Sequence, residues 1–260
     1  MNLWTQRSIA YANQRNYLDQ LFRVYPLQQD DIRDIDDAQW KNVERAFSKM
    51  DKIGLLSGLL SFELFPIKDS YVAYLKRDRS ALERNPDTVS RLCGRLFQMG
   101  LNDIFDRCSQ PKETNRQIGP LFKRWMTEGG LGVDLLEPDE FVKTDRNAIL
   151  KASDAETRNF ANQHLQYRGE KGLDLLARFN KKYVVGEAKF LTDFGGHQNA
   201  QFKDALALLK NKTVKAVKVA ILDGVLYIPG NNVMHRFLKR DHHNYNIMSA
   251  LVLREFLYQI

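Results

Sequence analysis

The sequence predicts an α/β core, of the looser α+β kind, over residues 151–260, and three observations carry that prediction. Apolar residues recur at helical spacing up to about residue 150 and gather in shorter, strand-like runs beyond it. Two of those runs, 173–179 and 183–190, flank a polar Asn-Lys-Lys turn, which makes them neighbouring antiparallel strands of a hairpin. A helical stripe and a further apolar run follow, so the order reads helix, strand, strand, helix, strand. A central mixed sheet flanked by helices is expected, preceded by a mainly helical N-terminal region over residues 1–150.

Each element has a local reason. Leu18, Leu21, Phe22 and Tyr25 share one helical stripe, and Val43, Phe47, Met50 and Ile53 share another. Pro26, Pro66, Pro86, Pro111 and Pro120 punctuate these segments. The charge-free run 53–62 is far shorter than the ~20 residues of a bilayer span and reads as a core helix. Trp40, Phe47 and Trp125 are expected in the core. Ser153 with Glu156 three places on is a capping-box signature that opens a helix running to about Tyr167. Gly195 and Gly196 break the chain before a helix over 198–210, whose Phe202, Ala205, Leu206 and Leu209 form one stripe. A third strand over 214–222 meets Asp223-Gly224 and is expected to continue as 225–228. Residues 247–258 read as a final helix.

The charge is unevenly placed. Lys and Arg balance Asp and Glu at 22 each through residue 150, then outnumber them 17 to 10, so the whole net charge of +7 belongs to the C-terminal part. A basic surface there would attract a polyanion, of which nucleic acid is the commonest. Cys93 and Cys108 are too few for a disulfide framework and lack zinc-cluster spacing, so two reduced thiols in an intracellular protein are expected. Polar residues run through the N-terminal stretch, against a secretory signal. Neither a membrane partner nor a location outside the cytoplasm is expected. Asp241-His242-His243-Asn244 reads as a polar loop before it reads as a metal set.

The chemistry concentrates in the hairpin. Ionised groups in apolar strands are costly unless paired or metal-bound, yet Asp174 opens the first strand and Glu187 and Lys189 stand two apart in the second. Alternation puts Glu187 and Lys189 on one face with Val185. If the hairpin brings Asp174 beside them, two carboxylates and an ammonium converge. Oxygen donors of this kind suit Mg²⁺, with the Ala188 carbonyl as a further ligand. Such a cation would orient and acidify a water for attack on a phosphodiester.

Asp174, then Glu187-Ala188-Lys189 after twelve intervening residues, resembles the PD-(D/E)xK nuclease superfamily, and the surroundings resemble a type II restriction endonuclease. The motif's proline is replaced by Leu173. The resemblance implies a restriction-endonuclease-like fold for residues 151–260, with the 1–150 region serving DNA recognition and dimerisation. It implies that Asp174 and Glu187 bind the metal, Mg²⁺ or Mn²⁺ in its place, and that Lys189 assists the attacking water. Glu156 is the candidate for a further catalytic glutamate on the preceding helix, with Glu170 as a competitor and the helix cap as the rival role for Glu156. On the helix after the motif, Gln198, Gln201, His197 and Lys203 are the candidate DNA contacts. A sequence-specific homodimer cutting double-stranded DNA in a prokaryotic cytoplasm, beside a methyltransferase acting on the same site, follows from the resemblance. Another nuclease of the superfamily, a resolvase or repair enzyme, and a catalytically silent DNA-binding module are the alternatives.

Overall fold

A computed structural model describes residues 1–26, 33–111, 114–240 and 244–260, with the backbone alone for 114–116. Its contacts form two compact units, Met1–Leu27 with Thr114–Ile260, and Gln28–Glu113. The division therefore does not fall at a single cut near residue 150. The first helices and residues 114–150 go with the sheet, because their apolar side chains (Trp4, Leu21, Val24, Phe122) share one buried core with Val184, Ala188 and Ile221. Residues 241–243, within the His-rich segment, lie outside the described residues.

The chain begins with α1 (Leu3–Ala12) and α2 (Tyr17–Val24) in the sheet unit. The second unit is helical: α3 (Asp37–Ser48), α4 (Lys52–Ser61), α5 (Ser70–Arg77), α6 (Ala81–Arg84), α7 (Pro86–Met99) and α8 (Leu101–Cys108). Asp36, Asp51 and Asp69 each accept a backbone N–H at the start of α3, α4 and α5, which satisfies orphan donors there. Leu55, Leu56, Leu59, Leu92, Leu96 and Ile104 form this unit's own core. Cys93 and Cys108 are buried in it as free thiols. Burial pushes their pKa values up, to about 11 for Cys93 and about 12 for Cys108, so both are inert at neutral pH.

The sheet unit resumes with α9 (Thr114–Thr127), then β1 (Asp134–Leu136), α10 (Pro138–Lys143), β2 (Ala148–Leu150), α11 (Asp154–His164), β3 (Leu175–Phe179) and β4 (Lys182–Leu191). It ends with α12 (Gly196–Lys210), β5 (Val217–Gly224), α13 (Val233–Lys239), β6 (Asn246–Met248) and α14 (Ala250–Gln259). The six strands lie in sequence order, β1-β2-β3-β4-β5-β6. The sheet is mixed: β1 and β2 are parallel, β2, β3 and β4 antiparallel, and β4, β5 and β6 parallel. The α/β class with a mixed sheet between helices is thus the observed one.

The hairpin turn is Asn180-Lys181, both at positive φ, which is the mirror-image turn whose twist matches paired strands. One face of the hairpin enters the core with α1, α2 and α9, through Leu175, Ala177 and Val184. The other, through Leu176 and Val185, packs on Phe160 and Ala161 of α11. Residues 225–228, expected as a strand, instead include a short 3-10 turn, Val225–Tyr227. The cause is Gly224: its φ of 97° turns the chain out of β5, and a Cβ there would sit 2.1 Å from the Leu191 carbonyl oxygen.

Candidate active site

The β3–β4 register pairs Leu175 with Gly186, which puts Asp174 next in line to Glu187 at the open end of the hairpin. The loop into β3 approaches α11 closely at Gly172, where a Cβ would fall 2.6 Å from the Asp154 carbonyl oxygen. Thr157 Oγ1 accepts the Leu173 N–H at 3.3 Å and fixes the last step before Asp174. Asp174 then accepts the backbone N–H of Ala188 at 2.8 Å, across the hairpin and in the middle of the Glu-Ala-Lys triplet.

Lys189 closes the group. Its Nζ lies 2.5 Å from Glu187 Oε1 and 3.8 Å from Asp174 Oδ2. All three side chains are largely covered, at 25%, 16% and 22% exposure for Lys189, Glu187 and Asp174. Burial raises the Glu187 pKa, the Asp174 charge adds to this, and Lys189 opposes it. Burial alone would push Lys189 down, but Glu187 and Asp174 outweigh it and hold the ammonium in its charged form. Two carboxylates that repel each other are thereby bridged by one cation.

Two openings lead to this cluster. One, of about 250 Å³, is lined by Asp174, Ala188, Lys189, Gln201 and the Ile118-Gly119-Pro120 turn of α9. The other, of about 350 Å³, is lined by Glu187, Tyr167, Glu170, Lys171, Asp204 and Asn211. No local pattern marks the α9 wall, because only the fold brings residues 118–120 to the hairpin. Lys171 and Asp204 were equally hidden, as an exposed lysine and aspartate are ordinary on any surface.

The other candidates divide. Gln201 faces the first opening, and its amide lies 3.1 Å from the exposed His197 ring. Lys203 is exposed on α12. Gln198 is buried, and its amide accepts from Thr192 N at 3.3 Å and donates to Thr192 Oγ1 at 3.1 Å, so it splints the β4–α12 loop. Glu156 forms the full capping box with Ser153, its carboxylate accepting the Ser153 N–H at 2.7 Å. That bond lowers its pKa, and the exposed carboxylate is engaged at the helix start, not with the cluster. Glu170 lines the second opening beside Glu187.

The donor set suits a small hard cation. Among the described residues no group of three or more His, Cys, Asp or Glu side chains gathers. Mg²⁺ takes one or two carboxylates and completes its shell from water and phosphate, and Asp174, Glu187 and the Ala188 carbonyl are oxygen donors of that kind.

A comparison with protein-family models decides the family: the model of the Tsp45I type II restriction enzymes matches residues 2–260. The chain belongs to the Tsp45I family of type II restriction enzymes. Searches of curated proteins and of solved structures gave no match. As a member of the Tsp45I family the chain is a nuclease of the kind that cuts DNA at specific sequences, and its hairpin brings two carboxylates and a lysine together. No helix of the described residues is long and apolar enough to cross a membrane.

Proposed function

We propose that the chain is a Mg²⁺-dependent endonuclease of the PD-(D/E)xK kind, which hydrolyses phosphodiester bonds of double-stranded DNA at a short specific site and leaves 5′-phosphate and 3′-hydroxyl ends. The observation that carries the reading is the meeting of Asp174 and Glu187 around the Lys189 ammonium at one end of a buried hairpin. Asp174, Glu187 and the Ala188 carbonyl would hold the cation, with Mn²⁺ able to replace Mg²⁺. When bound, the cation supplies positive charge for the phosphate and acidifies a water.

The protein groups do the remaining work. Lys189, charged through its two carboxylate neighbours, donates hydrogen bonds to the attacking water or to a phosphoryl oxygen and so fixes the line of attack. The Ala188 N–H pins Asp174 Oδ2, the oxygen that also faces Lys189 at 3.8 Å, and so holds the carboxylate at the cluster. Gln201, on the wall of the opening beside Asp174 and Lys189, is placed for DNA contact, with His197 and Lys203 on the same helix. Glu156 is assigned to the cap of α11, and Gln198 to the loop before α12.

The helical part supplies base contacts, through Arg, Asn or Gln reading base edges in the major groove, and takes part in dimerisation. Two copies related by a twofold axis would cut the two strands of a palindrome, one site to each strand. A methyltransferase acting on the same sequence would protect the host DNA in a prokaryotic cytoplasm.

Digestion of a plasmid of known sequence, followed by sequencing of the fragment ends, tests this reading. Discrete fragments that need Mg²⁺ or Mn²⁺ and vanish in Glu187→Ala are expected. Discrete fragments in the presence of a chelator, or from Glu187→Ala at the parent rate, would overturn it.

A further inference from the structure

The turn between α11 and β3 is held with more care than a surface connection needs. Gln166 and Arg168 both take φ of 53°, a backbone region that side chains other than glycine enter at a cost. Side chains from both flanking segments fix them there. Asn162 grips Gly169 twice, donating to its carbonyl and accepting its N–H, each at 3.2 Å. Arg158 donates to the Glu170 carbonyl at 3.2 Å. Asn211 donates to the Tyr167 carbonyl at 3.0 Å and Thr213 to the Gln166 carbonyl at 3.0 Å. The last two come from the far end of α12, so the turn is bolted to two elements that also frame the cluster.

What this turn presents is Lys171. Its Nζ is 3.1 Å from Asp204 Oδ2, both side chains are mostly in solvent, and both line the opening that ends on Glu187. An exposed pair of this kind contributes little to stability. Arg168 is exposed on the same turn.

We propose that the 166–171 turn is a preformed wall of the cleavage site that offers Lys171 to a backbone phosphate of the DNA duplex, with Asp204 holding the ammonium until the phosphate replaces it. The inference rests on the nuclease reading of the hairpin. It adds to that reading a substrate-binding residue on the Glu187 side, opposite the opening that Gln201 lines. An ammonium is a point charge for phosphate and needs no fixed fork geometry, so Lys171→Arg should serve nearly as well.

The test is equilibrium binding of a labelled duplex, carrying the cleavage site mapped by plasmid digestion, in a chelator and over a range of salt. Each phosphate contact contributes about 0.9 to the slope of log affinity against log salt. Lys171→Ala should lower that slope by about 0.9, and Lys171→Arg should restore it. Asp204→Asn should keep the slope and tighten binding. In steady-state cleavage with Mg²⁺, Lys171→Ala should raise KM for DNA by roughly tenfold and leave kcat within roughly threefold. An unchanged slope in Lys171→Ala overturns the inference, and so does a loss of affinity in Asp204→Asn equal to that of Lys171→Ala, since that would make the pair merely structural. The two readings fail separately: a fully active Glu187→Ala sinks the assignment of the hairpin cluster as the cleavage site, whereas an inactive Glu187→Ala beside a parent-like slope in Lys171→Ala sinks this inference alone.

Discussion

The Asp174 carboxylate accepts the backbone N–H of Ala188, two residues that are fourteen apart in the chain and face to face at the end of one hairpin. This bond joins the acid of β3's approach to the triplet on β4, and the same Asp174 oxygen, Oδ2, faces Lys189 at 3.8 Å. Replacement by asparagine keeps an acceptor for Ala188 but removes the charge. Asp174→Asn should unfold close to the parent midpoint and lose at least about a thousandfold in cleavage rate. Asp174→Ala should also lose about 1 kcal/mol of stability, read by urea denaturation.

Lys189 bridges two carboxylates that repel each other. In Lys189→Ala a bound cation relieves that repulsion, so the variant should melt below the parent in a chelator and regain most of the difference when Mg²⁺ is added. Its cleavage should fall by about two to four orders of magnitude. Thermal melting with and without Mg²⁺ checks the first outcome, and single-turnover cleavage the second.

Glu156 completes a capping box, and glutamine fills that position as well as glutamate does. Glu156→Gln should therefore cut DNA within a few-fold of the parent rate. A loss of orders of magnitude in single-turnover cleavage would instead place Glu156 in the catalytic group.

A second buried carboxylate serves the fold. Asp223 accepts from Tyr25 Oη at 2.8 Å, Ala250 N at 3.1 Å, Tyr17 Oη at 3.4 Å and from the Ser249 hydroxyl, and so ties α2 and α14 to the end of β5. Burial raises its pKa against the opposing pull of these donors. A carboxyl raised on folding binds more protons folded than unfolded, so its contribution is complete below the unfolded pKa and falls as pH rises towards the folded value. Urea denaturation between pH 4 and 8 should show this decline, and Asp223→Asn should flatten it while costing about 1–3 kcal/mol for donors left without an acceptor.

The hairpin was legible because both of its signals are local. Alternation along residues 183–190 fixed the face that Glu187 and Lys189 share, and the Asn180-Lys181 turn fixed the partner strand. The N-terminal helices were harder. Leu18 and Phe22, read as part of an apolar stripe, are exposed, and Tyr17, Leu21, Val24 and Tyr25 are the buried set. A short helix carries two overlapping stripes, and only the sheet it meets selects one. The boundary near residue 150 misled for a related reason: the pattern changes from helix to mixed there, but β1, β2 and α9 belong to the later unit through contacts distant in sequence. The walls of the site, 118–120 and 166–171, had no local mark at all.

The most direct measurement is anomalous scattering from Mn²⁺ in crystals of the protein bound to its mapped DNA site. The account predicts a peak within about 2.0–2.3 Å of carboxylate oxygens of both Asp174 and Glu187, next to a phosphate. An active enzyme whose manganese lies away from both carboxylates would contradict it.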